Sequence, residues 1–145
     1  VDAVAAGEES GGYAFRGNIP ERDGILSGLM FLDLMVKTGK RPSELVKMLY
    51  EKVGEHHYNR LDVALDAGTP KPNVQAIAAN PPERIGGLRV GRTETVDGVL
   101  LSLEGGFWGL IRPSGTEPLL RIYAEGDSPQ RVQEILADLR AVAGV

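Results

Sequence analysis

Apolar positions in the first part of the chain recur at the spacing of a helix over residues 23–38. Asp23 suits the N-cap because its carboxylate can accept from the first unpaired N–H groups, and Gly39 supplies a stop. The apolar side chains cover most of the circumference of this predicted helix: Ile25, Leu26, Leu29, Met30, Leu32, Leu34, Met35 and Val36. A helix that is apolar all round is normally buried, so we expect this one to lie inside its domain.

The residues around this helix predict a second helix and short strands. Ser43 is predicted to cap a helix that runs to Val53, where Gly54 ends it. Its inward face is expected to carry Leu45, Val46, Leu49 and Val53. Residues 1–6 have the small apolar character of the end of a buried strand, and residues 57–65 alternate roughly as a strand.

Beyond the Asn-Pro-Pro at residue 80 the pattern changes to the alternation typical of strands. The predicted strands are 88–96, 99–103, 107–111 and 119–123. Between the first two lies Asp97-Gly98, the dipeptide most typical of a tight hairpin. Ser128 and Pro129 are predicted to cap and start a closing helix that ends at Ala143. The second half is therefore predicted to be a small antiparallel sheet covered by a helix.

Residues 66–73, Asp-Ala-Gly-Thr-Pro-Lys-Pro-Asn, have the polar, proline-containing composition of a linker. They divide the chain into residues 1–65, with a mixed α/β pattern, and residues 74–145, with the sheet and its helix. The predicted fold class is therefore α/β in the first part and α+β in the second. We also expect residues 66–73 to act as a hinge that lets the second domain move onto a ligand.

Composition narrows the classes of function. The chain has 145 residues, a net charge of −4 and an isoelectric point of about 5.2, which argues against a nucleic-acid partner. The absence of cysteine removes disulfides and thiolate chemistry and fits a cytoplasmic location. No apolar run approaches the roughly 20 residues that span a bilayer, so no membrane is expected as a partner. The chain begins at Val1 without an initiator methionine, so we expect a piece of a longer protein.

Residues 112–118, Arg-Pro-Ser-Gly-Thr-Glu-Pro, crowd anion-binding groups into the turn between two predicted strands. Arg112 offers a planar fork of donors for two phosphate oxygens, and Ser114 and Thr116 add hydroxyl donors. Gly115 is expected to let the backbone turn so that consecutive N–H groups point at one anion. The two prolines stiffen the loop, so less disorder is lost when an anion binds. These features together predict a phosphate-binding loop.

Two qualifications accompany this loop. Glu117 would repel a phosphate, so we expect it to pair with Arg121, which follows after the turn. An ordinary Pro-Ser-Gly turn with a solvated arginine is the alternative that the residue types alone leave open. A Walker loop is excluded, because no Gly-Lys-Ser/Thr is present and a strand follows instead of a helix.

Three segments together resemble the α-D-phosphohexomutases, the superfamily that includes phosphoglucomutase and phosphomannomutase. Residues 112–125 resemble its phosphate-binding signature, residues 7–11 its sugar-recognition loop, and residues 21–25 the start of the helix that follows. They occur in the family's order and cover nearly the whole chain. The resemblance implies that residues 1–65 are the end of the third, α/β/α domain and residues 74–145 the fourth, phosphate-binding domain.

The resemblance implies a mutase that moves a phosphoryl group between the 1- and 6-positions of a hexose through a 1,6-bisphosphate. In the family, positions that match Glu8 and Ser10 contact the 3- and 4-hydroxyls of the sugar. The phosphate is expected to be held by Arg112, Ser114, Gly115 and Thr116. Glu9 matches a variable position, and Gly12 stands where some members have a histidine. The Glu-Glu-Ser form favours a glucose phosphate over a mannose phosphate, and no catalytic residue is implied in this chain.

The resemblance also implies parts that this sequence does not contain. The family uses a phosphorylated serine in its first domain and an Asp-rich loop in its second domain that holds Mg²⁺, and neither motif is present. Mg²⁺ is therefore expected in the full enzyme with ligands outside this chain, and glucose 1,6-bisphosphate is expected as activator and intermediate. The expected partners are a hexose phosphate and the N-terminal domains of the same enzyme. The isolated chain is expected to be inactive.

Two other functions remain open at this point. A phosphoglucosamine mutase differs chiefly in the sugar loop, where such members tend to carry Gln-Ser-Gly-His. A non-catalytic module that binds a phosphosugar or another anion for regulation is the second, because small sheets backed by helices serve many regulatory proteins.

Four charged or titratable residues have less specific expected roles. His56 and His57 are adjacent, and in a strand they point to opposite faces, so they cannot share a metal ion. They are expected to be ordinary strand-edge residues. Arg16 and Arg22 follow the sugar loop closely enough to attract a phosphosugar, and an alternative role is simple solvation at the surface.

Overall fold

The computed structural model describes residues 2–8, 11–65 and 72–145, and the chain divides into two compact units between Val53 and Gly54. The first unit contains a two-stranded ribbon and two helices, and the second contains a six-stranded sheet with its own helices. Within the described residues, no helix has both the length and the apolar character needed to cross a membrane.

The described part of the first unit contains four elements. Strands β1 (Ala5–Gly7) and β2 (Tyr13–Phe15) pair antiparallel. Helix α1 spans Gly24–Thr38 and helix α2 spans Pro42–Val53. This order of strands followed by helices agrees with the mixed pattern that the sequence predicts.

Helix α1 has the two end signals expected from the sequence. The Asp23 carboxylate accepts the Leu26 backbone N–H at 2.9 Å, and Gly39 closes the helix with a φ of 65°. The Asp23 backbone N–H also donates to the Tyr13 carbonyl at 2.9 Å, which ties the start of the helix to β2. The predicted boundaries of this helix are confirmed.

The expected burial of α1 is wrong for this chain. None of its residues is buried, and Ile25 and Val36 are 81% and 82% exposed. In α2, Leu45 is buried. The other residues of its predicted inward face are exposed: Val46, Leu49 and Val53. The physical reason is that the described part of this unit offers α1 only a short ribbon and one helix, which cannot cover a surface that is apolar all round.

Helix α2 begins at Pro42, and the predicted cap at Ser43 is therefore wrong. The Arg41 carbonyl accepts from the Glu44 and Leu45 N–H groups at 2.9 and 3.0 Å, which places Arg41 at the cap position. The Arg41 N–H in turn donates to the Glu44 carboxylate at 2.8 Å. This reciprocal arrangement starts the helix without a hydroxyl cap, and proline suits the next position because it has no N–H to satisfy.

The second unit contains an antiparallel sheet in the order β3-β8-β7-β6-β5-β4. Its strands are β3 (His57–Ala64), β4 (Arg84–Ile85), β5 (Leu88–Glu94), β6 (Val99–Leu103), β7 (Trp108–Pro113) and β8 (Leu119–Gly126). Its helices are α3 (Val74–Ala79) and α4 (Pro129–Ala143). The predicted small antiparallel sheet with a closing helix is confirmed, and α4 has the predicted bounds.

The core of the second unit lies between α4 and one face of the sheet. The buried face of α4 carries Val132, Ile135, Leu136 and Leu139. The sheet supplies buried side chains that include Val99, Leu101, Ile111, Leu120 and Ile122. Because side chains alternate along a strand, the opposite face of β7 carries Trp108, Leu110 and Arg112. Arg112 therefore starts from the face of the sheet that α4 does not cover.

Strand β3 belongs to the second unit, which corrects the predicted boundary after residue 65. It pairs with β8 along its whole length, from His57 opposite Gly126 to Ala64 opposite Leu119. Leu61 packs against the buried core of the sheet, and the burial of such side chains favours this pairing. The division between the units therefore lies between residues 53 and 54.

The predicted linker, residues 66–73, falls mostly outside the described residues, which resume at Pro72. Asn73 caps α3 by accepting the Ala76 N–H at 3.0 Å. Leu65, before the segment, donates its N–H to the Pro118 carbonyl at 2.8 Å. Both flanks of the segment thus belong to the second unit, and motion about residues 66–73 remains a prediction.

The hairpin predicted at Asp97-Gly98 is present, but its loop is longer than two residues. Strand β5 ends at Glu94, so residues 95–98 connect it to β6. Gly98 has a φ of 86°, whereas no described non-glycine residue has a positive φ. A two-residue turn of the type expected for Asp-Gly needs a positive φ at both positions, which Asp97 does not adopt.

Candidate functional site

The 112–118 loop joins β7 to β8 and is closed by its own backbone. The Ser114 N–H donates to the Leu119 carbonyl and the Leu119 N–H donates to the Glu117 carbonyl, both at 2.8 Å. The Pro118 carbonyl accepts from Leu65 at the end of β3. The loop is therefore held at its base and on one side by hydrogen bonds to the sheet.

Ser114 is held in a defined position within this loop. It is buried, with 7% of its surface exposed, and its Oγ accepts the Glu117 N–H at 3.3 Å. A hydroxyl that accepts one hydrogen bond still has its own hydrogen to donate. Ser114 can therefore shape the turn and donate to an anion at the same time.

The amide groups of Gly115 and Thr116 are the unpaired donors of the loop. Both residues are exposed, and within the described part of the chain neither backbone N–H has a hydrogen-bond partner. Neighbouring amides whose N–H groups have no internal acceptor are suited to bind an anion. The predicted loop residues are thus brought together, with two backbone donors and two hydroxyls on one short turn.

The sequence analysis expects Gly115 to be needed for the backbone conformation of the turn, and the structure does not support this expectation. Gly115 is absent from the residues with a positive φ, so the turn does not require glycine for its backbone conformation. A β-carbon built on Gly115 meets no described atom within 4 Å. The turn forms without the left-handed conformation because the Ser114 and Leu119 hydrogen bonds already close it. What glycine leaves is open space at the α-carbon, where a ligand can approach the backbone.

Arg112 has a partner that the sequence did not predict. Its Nε lies 2.9 Å from the Asp97 Oδ2 at the tip of the β5–β6 hairpin. The two side chains line one groove of about 230 Å³ together with Glu94, Val96, Leu100 and Leu110. The sequence signal was the Asp-Gly dipeptide, which predicts a turn but does not show which residue the turn approaches.

A second guanidinium accompanies Arg112 on the same face of the sheet. Arg121 in β8 lies directly opposite Arg112 in β7, and residues paired in this way point to the same side. The Arg121 Nη2 lies 3.2 Å from the Glu117 Oε2, so the predicted pairing of Glu117 with Arg121 is confirmed. Glu117 is thereby partly neutralised beside the loop, which lowers its repulsion toward an anion.

The 7–12 loop in the first unit is closed by two backbone hydrogen bonds. The Glu8 N–H donates to the Gly12 carbonyl at 2.9 Å, and the Gly11 N–H donates to the Glu8 carbonyl at 3.0 Å. The Glu8 side chain is about half exposed. Ser10, predicted to contact the sugar, and Glu9 lie outside the described residues. Of the two predicted sugar-binding residues, the structure therefore positions only Glu8.

Arg22 holds the Glu8 carboxylate, with 2.8 Å between its Nη1 and the Glu8 Oε2. Hydrogen bonds to Glu21 and then to Glu8 raise the pKa of Arg22 above its usual value. A β-carbon at Gly12 would lie 2.5 Å from the Arg22 Cδ, so Arg22 fills the space where a larger residue would project. Arg16 instead pairs with Asp2 at 3.0 Å. Sequence reasoning left the role of Arg22 open, because its contact with Glu8 spans fourteen positions.

The two adjacent histidines contact different carboxylates. His56 Nδ1 lies 3.0 Å from Glu125 and His57 Nε2 lies 3.0 Å from Glu55. In residues 2–8, 11–65 and 72–145, no group of three or more histidine, cysteine, aspartate or glutamate side chains is placed to hold a metal ion.

Two sequence models from one protein family match the chain. The model of the phosphoglucomutase/phosphomannomutase C-terminal domain matches residues 64–142, more than half of the chain. The model of the phosphoglucomutase/phosphomannomutase alpha/beta/alpha domain III matches residues 1–53. The chain belongs to the phosphoglucomutase/phosphomannomutase family. Its two units correspond to these two domains of the family, and the end of the domain III match agrees with the structural boundary.

Relatives within the phosphoglucomutase/phosphomannomutase family carry two kinds of name. A Thermococcus kodakarensis phosphoglucomutase/phosphomannomutase is 30% identical over 93% of this chain. Phosphoglucosamine mutases from Moorella thermoacetica and Methanococcus maripaludis are 30% and 33% identical over 97% and 92% of it. The chain spans only 27% of the first relative and 28% of each of the other two.

A solved structure shows the same fold. The phosphoglucomutase/phosphomannomutase family protein from Burkholderia thailandensis matches with a TM-score of 0.70. The match covers 97% of this chain and 28% of that protein, at 22% sequence identity. At this identity the likeness supports the fold, whereas the two family models carry the assignment to the family.

Proposed function

We propose that this chain is the substrate-binding C-terminal part of a phosphohexomutase that interconverts hexose 1-phosphate and hexose 6-phosphate through a 1,6-bisphosphate. Membership of the family and the names of the relatives support this reaction class. The observation that carries the proposal is the pair of exposed amides at Gly115 and Thr116, which have no acceptor within the described residues. They lie three and four positions after Arg112, in the loop that follows β7.

The proposed task of the 112–118 loop is to anchor the phosphate that does not react. Arg112 supplies a positive charge and planar donors, while the Gly115 and Thr116 amides and the Ser114 and Thr116 hydroxyls donate to the remaining oxygens. Donors fixed by the closed turn lose little freedom when the phosphate binds. An anchor of this kind holds the sugar so that its other end is presented for phosphoryl transfer.

The proposed task of the 7–12 loop is to read the sugar. Glu8 accepts from hydroxyl groups of the ring, and Arg22 fixes the orientation of its carboxylate. Ser10 is proposed as the second contact. In a reaction that turns a bisphosphate between two half-reactions, the 3- and 4-hydroxyls roughly exchange places, and a carboxylate and a hydroxyl can each serve either one.

Glucose is the proposed sugar, with mannose as a second substrate, on the basis of the Glu-Glu-Ser sequence of the 7–12 loop. Phosphoglucosamine mutase is the alternative, and the names of the Moorella and Methanococcus relatives favour it. Against it stands the absence of the Gln-Ser-Gly-His form of the loop. Mg²⁺ and glucose 1,6-bisphosphate are proposed for the complete enzyme, and a cytoplasmic location is proposed on composition alone.

The test is kinetic and uses the complete enzyme that contains this chain. Arg112→Ala and Glu8→Ala are each expected to lower kcat/KM for glucose 1-phosphate by roughly ten- to a hundredfold, as for the loss of a charged hydrogen bond. Arg89→Ala removes an exposed positive charge from the second unit and serves as the matched control, with little expected effect. Mannose 1-phosphate and glucosamine 1-phosphate, assayed in parallel, decide the sugar.

Two outcomes would contradict the proposal. A regulatory anion sensor would lose affinity with Arg112→Ala but would be indifferent to Glu8→Ala and to the identity of the hexose. Mutase turnover by the purified 145-residue chain would contradict the expectation that it only binds substrate. In that case the chemistry would have to reside in residues assigned here to binding.

A further inference from the structure

The tip of the β5–β6 hairpin, Asp97 and Gly98, is a feature to which the proposed function gives no role. Val99 pairs with Ile111, so the tip lies beside the point where β7 reaches Arg112. A β-carbon on Gly98 would overlap the Ile111 carbonyl oxygen and would lie 3.0 Å from the Arg112 Cα. The tip therefore packs against the backbone of Arg112 at a distance that only glycine permits.

This close approach fixes where the Asp97 side chain begins. Its Oδ2 lies 2.9 Å from the Arg112 Nε, and the side chains of Asp97 and Arg112 are 66% and 41% exposed. Because Arg112 lies in β7 and Gly98, the neighbour of Asp97, packs against the Arg112 backbone, the ion pair joins two defined positions. A guanidinium contacted at Nε still offers its terminal nitrogens, which are the pair that binds two phosphate oxygens end-on.

We propose that Asp97 is a positioning residue for Arg112. It holds the guanidinium so that the terminal nitrogens meet the phosphate of the hexose phosphate beside the Gly115 and Thr116 amides, and this role rests on the proposed function. An arginine with 41% of its side chain exposed has many rotamers, and a fixed carboxylate at its inner nitrogen reduces their number before the ligand arrives.

The opposing effect is electrostatic repulsion between the Asp97 carboxylate and the phosphate. Asp97 is mostly exposed, so water and salt screen this repulsion. Glu94 lines the same groove but pairs with Arg92, at 3.5 Å between Arg92 Nε and Glu94 Oε1. Glu94 thus provides a second carboxylate in the same groove that pairs with a different arginine. A substitution of Glu94 removes a negative charge from the groove without removing the contact between Asp97 and Arg112.

The experiment is a titration of the 145-residue chain, labelled with ¹⁵N, with glucose 6-phosphate. The Arg112 Nε–Hε signal, assigned by its loss in Arg112→Lys, reports the guanidinium directly. Asp97→Ala is expected to raise the dissociation constant about two- to fivefold, the effect of one exposed ion pair. It is also expected to shift the ligand-free Arg112 signal toward that of a solvated arginine. Asp97→Asn, which retains a carbonyl acceptor without charge, is expected to give an intermediate value.

Glu94→Ala is the matched control, and it is expected not to raise the dissociation constant. If the wild-type chain binds glucose 6-phosphate and Asp97→Ala binds equally or more tightly, the positioning role is overturned. Tighter binding in both alanine variants would identify Asp97 as a repulsive charge. If the wild-type chain shows no binding and no change in the Arg112 signal, the proposed function itself fails for this loop, and the role of Asp97 fails with it.

Discussion

Asp23 shows how much of the first unit depends on one side chain. One of its carboxylate oxygens accepts the Leu26 N–H and the other accepts from the Asn18 amide, both at 2.9 Å. The hydrogen bond from Leu26, followed by that from Asn18, holds the pKa of Asp23 below its ordinary value of 3.8. The ionised carboxylate is therefore the form that the folded helix prefers.

This preference predicts a pH-dependent stability of α1. Because the folded pKa is lowered, the ionised cap stabilises the helix above pH 3.8, and this contribution is lost as the pH falls through the lowered folded pKa. Asp23→Ala should unfold at lower urea concentration than the wild type near neutral pH, measured by far-UV circular dichroism, and the difference should shrink at about pH 2.5. Asp23→Asn keeps a neutral acceptor and is the control, since its advantage over alanine should not change with pH. If the wild type were more stable than Asp23→Ala by the same amount at both pH values, the ionised Asp23 carboxylate would not be the source of the stabilisation.

The candidate site was predictable where its signal is local. Arg112, Ser114 and Thr116 stand in one short loop whose residue types already indicate an anion, and the turn brings them together. The contacts of Asp97 with Arg112 and of Arg22 with Glu8 could not be predicted from the sequence. The first depends on which strand the hairpin tip approaches, and the second on how Glu8 and Arg22 are brought together across fourteen positions. Such contacts are set by tertiary packing, which a pattern of residue types does not specify.

At the scale of elements, α4 is fixed by both polar and apolar contacts. Its cap Ser128 accepts the Arg131 N–H at 3.2 Å. Asp138 accepts the Gly86 N–H at 2.7 Å, and Arg131 donates to the Gly86 carbonyl. These two hydrogen bonds tie the helix to the turn between β4 and β5. Ile135 is fully buried between these contacts. The helix therefore closes the core of the second unit over the sheet.

Truncation of Ile135 should accordingly destabilise the second unit. Ile135→Ala removes a fully buried side chain and is expected to lower the free energy of unfolding by about 2–5 kcal/mol. Gln133→Ala, on the exposed side of the same helix, is the control and should change it by less than about 0.5 kcal/mol. The measurement is urea unfolding followed by the fluorescence of Trp108. Equal effects of the two substitutions would show that α4 does not cover the core.

The difference between local signals and long-range contacts also explains which helices and strands could be predicted from the sequence. Helix α4 has a cap, a proline at its start and a long apolar face, so its bounds follow from local signals. Strand β3 was detected as a strand but assigned to the wrong unit, because membership depends on pairing with β8, more than fifty residues later in the chain. Helix α3 and strand β4 span six and two residues, too few to show a period.

At the scale of the whole molecule, the two units differ in how much apolar surface they bury. Among the described residues, Leu45 is the buried hydrophobic side chain of the first unit, whereas the connected core cluster lies in the second. Several large side chains of α1 remain exposed: Ile25, Leu29, Met30, Phe31, Leu32, Leu34 and Val36. Since buried apolar area is the main favourable term in folding, the first unit of this chain has much less stabilisation than the second.

This difference predicts that the 145-residue chain does not unfold in one step. Trp108 is the only tryptophan and lies in β7, so its fluorescence follows the second unit, while far-UV circular dichroism follows the helices of both units. The circular dichroism signal should begin to fall at lower urea concentration than the fluorescence. Leu45→Ala should move only the early change in circular dichroism, whereas Ile135→Ala should move the fluorescence transition and the late part of the circular dichroism change with it. Coincident transitions in the wild type, with both variants shifting both signals, would mean that the units fold as one cooperative body.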